Sequence, residues 1–161
     1  IVVSEQYAPL IGVNMSFANN LAPSFEYKKS RSLTLSFINN QLTEVEGREI
    51  IIGCGYTFKD LGIVVSSGSG NSKRNTNDLV LKLDIGFRKD ITTLRSIDEN
   101  YSQISSGQNR INIYLTADYD FSSRLGMQAF FKRDVTDPFV ANSFKTTNTF
   151  AGVTLRFSLT Q

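Results

Sequence analysis

Strict alternation of apolar and polar residues runs through almost the whole chain, and it leaves room for little besides β-structure. Ile11, Val13, Met15 and Phe17 alternate with Gly12, Asn14 and Ser16, and Leu33, Leu35 and Phe37 with Thr34 and Ser36. Ile50, Ile52, Cys54, Tyr56 and Phe58 follow the same rule, as do Leu79, Leu81, Leu83, Ile85 and Phe87. Further along come Ile111, Ile113, Leu115, Ala117, Tyr119 and Phe121, then Leu125, Met127, Ala129 and Phe131, then Ala151, Val153, Leu155, Phe157 and Leu159. A period of two puts successive side chains on opposite faces, so each run is a strand with one apolar face. No window sustains a helical period.

The punctuation between the runs predicts nine antiparallel strands, at 8–18, 22–40, 49–59, 62–67, 77–88, 92–104, 109–121, 124–136 and 148–160. Short turns are expected at Ala18–Asn20, Lys59–Gly62, Arg88–Asp90 and Ser122–Ser123. Longer polar loops are expected at Thr43–Arg48, Ser66–Asn77, Ser105–Asn109 and Thr136–Asn148. An odd count sends the first and last strands the same way, toward the short-turn end. Short turns at one end and long loops at the other is the organisation of outer-membrane β-barrels.

Composition removes most other classes. The chain has no His and a single cysteine, Cys54, so neither an intramolecular disulfide nor a Cys/His zinc site can form. Histidine acid–base chemistry is excluded for the same reason. With 17 Lys plus Arg against 15 Asp plus Glu there is no basic footprint for nucleic acid. No apolar run approaches the roughly 20 residues of a membrane-spanning helix. Asp118 and Asp120 share a strand face but read as solvated charges, not a catalytic pair. Gly68–Gly70 lacks the Lys-Ser/Thr of a phosphate loop, and Asp98–Asn100 lacks the spacing of a calcium loop. The expectation is a non-enzyme without cofactor or metal.

A soluble two-sheet sandwich also alternates, but its strands are usually about 5–6 residues. The runs here reach the roughly 9–11 residues of a tilted membrane strand. The barrel reading assigns Ile11, Val13, Met15, Phe17, Ile50, Ile52, Tyr56, Phe58, Leu79, Leu81, Leu83 and Ile85 to lipid, with Ile111, Ile113, Leu115, Tyr119, Val153, Leu155 and Phe157. It assigns Lys82, Asp84, Arg88, Asp118, Asp120, Lys132 and Arg156 to a wet lumen. Phe17, Phe25, Tyr27, Tyr56, Phe58, Phe87, Tyr119, Phe121 and Phe157 are expected as one aromatic girdle at the short-turn end. Two strands resist. Lys29 and Arg31 share parity with Phe25, Tyr27, Leu33, Leu35 and Phe37, and each would cost ~2–4 kcal/mol at the bilayer midplane. Thr93–Asp98 has no face fit for hydrocarbon. These strands are expected to leave the bilayer, to flip register at a bulge, or to meet a partner.

The stretch FEYKKSRSLTLSFINNQLTEV at Phe25–Val45 is preceded by EQYAPLIGV and followed by IIGCGYTFKD, SSGQN and GVTLRFSLTQ. Together these resemble the C-terminal end of the giant outer-membrane translocon of the type IX secretion system, the SprA/Sov family, over essentially the whole chain. The resemblance implies that residues 1–161 are one continuous portion of a much larger barrel in the cell outer membrane. It implies export of folded cargo proteins to the cell surface. It also implies partners: the remainder of its own barrel, a PorV-like outer-membrane barrel, a periplasmic plug protein, the secreted cargo proteins, and lipid. The last strand, with Val153, Leu155, Phe157 and Leu159, would serve barrel assembly, although the usual terminal aromatic is absent. The alternative is a small standalone outer-membrane porin or structural barrel.

Overall fold

Among the described residues seven antiparallel strands form one sheet in sequence order: β1 (Val2–Asn14), β2 (Leu21–Ser36), β3 (Gln41–Ser66), β4 (Ser72–Ser96), β5 (Tyr101–Ser122), β6 (Leu125–Val140) and β7 (Thr146–Phe157). The structure, a computed structural model, describes residues 1–38, 40–66, 72–98, 101–122, 124–140 and 143–158, with backbone alone for 63–66 and 72–75. Each strand pairs with its sequence neighbour, so the sheet is a meander. β1 and β7 are its two edges and do not pair with each other, so the sheet is not closed. They run in the same direction, as an odd count requires.

The strands are fewer than the nine expected, and β3 and β4 each take in two of those expected, because turn chemistry was spent inside strands. Lys59–Gly62 does not reverse the chain. It is a bulge in β3, where the register with β4 shifts between Phe58 and Leu61 and Asp60 takes φ 55°. Asp, Gly and a positive φ serve a bulge as well as a turn. Arg88–Asp90 is also continuous strand, with Arg88 bonded to Asp90 along its own face. The segments 43–48 and 105–109, expected as loops, lie in β3 and β5. Of Thr136–Asn148, both ends are strand. Connections of two to six residues join strands at both ends, so the expected split into short-turn and long-loop ends does not hold. Gly68–Gly70, Glu99, Asn100 and Leu159–Gln161 lie outside the described residues.

A single layer has no enclosed core. Among the described residues Tyr119 is the one buried hydrophobic side chain, at 2% exposure. All seven strands lie in one sheet, so among the described residues no second sheet covers the apolar face as a sandwich would require. Phe87 is 47% exposed and Val153 64%.

Candidate functional site

The register fixes which side chains share a face, and it collects the apolar runs into one band. Phe25 is opposite Ile52, Ile52 opposite Ile85, and Ile85 opposite Ile113. The next row toward the β1–β2 connection runs Pro23, Cys54, Leu83, Leu115, Phe131 and Ala151. Ile50–Phe58, Leu79–Phe87 and Ile111–Tyr119 are each nine residues long and lie in mutual register. Ile11 and Val13 join through Tyr27 and Phe25, while Val153, Leu155 and Phe157 join through Ala129, Met127 and Leu125. Tyr56, Leu81 and Ala117 form a further row. Met15 and Phe17 fall beyond the end of β1, held by backbone bonds to Pro23 and Leu21. The residues assigned to lipid from the sequence therefore share one face, apart from these two in the connection.

The band has two aromatic borders, not the single girdle expected. Tyr56, Phe58, Tyr119, Phe121 and Phe157 lie near one end, with edge-on contacts between Tyr56 and Phe58 (4.5 Å) and between Tyr119 and Phe121 (4.9 Å). Tyr27 and Phe87 lie in one row at the other end, on either side of Ile50. The expectation failed because Phe87 was placed beside a turn that does not exist. The band also steps along the ladder. On β6 it spans Leu125–Phe131, and Arg133, paired with Ile113, interrupts it before Val135.

The opposite face carries Lys82, Asp84, Arg88, Asp118, Asp120, Lys132 and Arg156, all on the parity expected for a lumen. Some of the charges on this face have partners beside them. Lys132 Nζ lies 3.2 Å from Asp134, Arg88 Nε 3.0 Å from Asp90, and Lys28 2.9 Å from Glu26. Gln128 Nε2 donates to Asp118 at 2.7 Å. Gly152 leaves room for the Phe130 ring, which a Cβ there would meet at 2.8 Å. Both charge signs alternate over this surface, so it presents no single dominant sign.

Beyond the band, the apolar parity becomes charged. The β2–β3 ladder is continuous from Leu21 to Ser36, so no bulge flips Lys29 or Arg31 to the other face. Arg31 instead has a partner within the chain. Glu44, only 5% exposed, accepts from Arg31 Nε and from Arg95 Nη2, each at 2.6 Å. The Glu44 carboxylate, by hydrogen bond and then by charge, holds the Arg31 pKa above the usual guanidinium value. Glu44 was missed because 43–48 read as a loop, and without it Arg95, on an expected strand, had no visible partner. The signal was the alternation of Glu44, Glu46 and Arg48. No protein-family model matches the sequence, and the comparison with curated proteins found no match.

Proposed function

We propose that this chain is wall from a β-barrel in the cell outer membrane, and that the barrel is the protein-conducting channel of a type IX secretion system. The observation that carries the membrane reading is the band of nine residues on β3, β4 and β5. Nine residues suit a tilted strand crossing hydrocarbon, for which about 9–11 are needed. Aromatic borders at both ends agree with a span between two interfaces. The step of the band across β6 agrees with strands tilted to the membrane normal. Lipid covers the face that no second layer covers, and the unpaired edges of β1 and β7 pair with the remainder of the barrel, since hydrocarbon tolerates no open edge. The charged ends of β2–β5 stand clear of the bilayer, where Arg31, Glu44 and Arg95 incur no midplane cost.

The conduit reading draws on the resemblance at Phe25–Val45 and on the opposite face. A surface of both signs with no dominant charge holds no one cargo tightly and suits passage of many proteins. In this reading the chain is no enzyme, and its partners are a PorV-like barrel, a periplasmic plug and secreted cargo.

Cys54 supplies the test, because it lies exposed in the middle of the apolar band. In intact outer membranes a charged, membrane-impermeant maleimide should leave Cys54 unlabelled, while Thr154→Cys on the opposite face should label. Labelling of Cys54 before detergent is added would sink the membrane reading. Depletion of the polypeptide should strand folded cargo in the periplasm. A native polypeptide near 18.0 kDa on a denaturing gel would turn the reading to a small standalone barrel.

A further inference from the structure

The rung that borders the apolar band on β2, β3 and β4 consists of three cations. Lys29 is opposite Arg48, and Arg48 is opposite Lys89. Directly opposed side chains have Cβ atoms about 4.5–5.5 Å apart, and like charges so placed are destabilising. Elsewhere the sheet offsets such crowding. Arg31 and Arg95 share Glu44, and Arg88, opposite Arg110, lies within 4.0 Å of Glu49 and 3.0 Å of Asp90. On the rung the compensation is thin. Arg48 has Glu46 at 3.4 Å, at the exposed end of its side chain, and Lys89 lies over the Phe139 ring at 5.3 Å. The ladder continues through Asn109 to a single carboxylate, Asp137.

This rung meets the apolar band without a gap. The row beneath it is Tyr27, Ile50, Phe87, Ile111 and Val135. Tyr27, Ile50 and Phe87 with Arg48, Lys89 and Lys145 line an open hollow of about 650 Å³, which also holds one carboxylate, Asp137; Lys29 stands beside it, opposite Arg48. An apolar floor with a cationic rim is complementary to an amphiphile with an anionic head. Cations at the edge of hydrocarbon sit at headgroup depth, where their stems lie on apolar surface and their charges reach phosphate.

We propose that Lys29, Arg48 and Lys89 bind the phosphate of an anionic membrane lipid, with its upper acyl chain against Ile50 and Phe87. The bound anion offsets part of the repulsion among the stacked cations, which gives the sheet a reason to keep them opposed. The proposal rests on the membrane reading above.

The test uses the full polypeptide that carries this chain, purified from outer membranes in neutral detergent. Native mass spectrometry would count retained phosphatidylglycerol and phosphatidylcholine for the wild type and for K29Q/R48Q/K89Q. Wild type should retain phosphatidylglycerol preferentially. Each neutralised cation should weaken that retention about fivefold, following roughly 1 kcal/mol per Lys or Arg at an anionic surface. Inorganic phosphate at equal concentration should not displace the lipid, because it lacks the chain that fills the hollow. Equal retention of the two lipids by wild type, displacement by inorganic phosphate, or unchanged retention in the triple variant would each overturn the proposal. The wild-type comparison stands even if the variant fails to assemble. If Cys54 is protected in membranes but no lipid preference appears, this inference alone fails. If Cys54 is labelled, the membrane reading fails with it.

Discussion

The Tyr119 hydroxyl donates a 3.0 Å hydrogen bond to the Leu61 carbonyl, reaching from β5 past β4 to β3. Leu61 stands where the β3 register shifts, and the amide of Asp60 beside it is held at 3.1 Å by the Asp78 carboxylate. A bulge leaves ladder groups unpaired, and here side chains from β4 and from β5 beyond it satisfy them. The same tyrosine ends the apolar band on β5 and packs edge-on against Phe121. One residue therefore closes the band and pins the irregularity at its border.

Tyr119→Phe keeps the ring and deletes the bond. It should cost about 0.5–1.5 kcal/mol, the net worth of one hydrogen bond. Amides of Asp60–Gly62 should exchange with solvent deuterium faster than in wild type, while Leu81–Ile85 stays protected. Unchanged exchange at the bulge would mean that the ladder alone holds it.

Glu44→Ala should be more damaging than loss of an ordinary surface acid. It leaves two guanidinium groups side by side without their shared acceptor. The expected loss is about 1–3 kcal/mol, toward the low end because both guanidinium groups keep contact with water. Replacing Glu44, Arg31 and Arg95 together by apolar residues should recover most of that loss, since no charge is then left unpaired. Denaturant midpoints of the single and triple variants would decide it. A triple variant no better than Glu44→Ala would show that the cluster sets more than its own charge balance.

The apolar face was legible in the sequence because period-two alternation survives any error in strand ends. Ile50–Phe58, Leu79–Phe87 and Ile111–Tyr119 declare their parity residue by residue, and the sheet aligns them as read. Strand ends were not legible. Lys59-Asp60-Leu61-Gly62 carries the residues of a turn, and only the pairing of Leu61 with Asn77 shows that β3 continues. Glu44 was invisible for a different reason. A lone Glu in a charged stretch reads as solvated, and its two arginine partners lie 13 and 51 residues away. The rung of Lys29, Arg48 and Lys89 needed the register itself, because two of its members stood in expected connections.

Arg31→Lys makes a pH test of the Glu44 cluster. Glu44 raises the folded pKa of Arg31 above its already strongly basic unfolded value, so its contribution is complete below that value and is lost only as pH rises beyond it. Wild-type stability should therefore show no step from this pair between about pH 7 and 11. A lysine titrates near 10.4 when unperturbed, so the variant should lose the pair's contribution as pH rises past roughly that value. Thermal midpoints across this range would show the step in the variant alone. A matching step in wild type would place the alkaline transition elsewhere.

Leu83 and Lys82 are adjacent in sequence and opposite in fate, which gives the sharpest test of the two faces. Leu83 lies in the central row of the band, between Cys54 and Leu115, while Lys82 faces the other way between Gly55 and Thr116. A lysine at the bilayer midplane costs ~2–4 kcal/mol on the lipid side and little on a hydrated lumen side. Leu83→Lys should therefore lower the amount of folded protein recovered from outer membranes. The double exchange Lys82→Leu with Leu83→Lys leaves composition and net charge unchanged and should not rescue it. Recovery of folded protein by the exchange would mean that the two faces are equivalent. That result would remove lipid from the apolar side, and the proposed barrel with it.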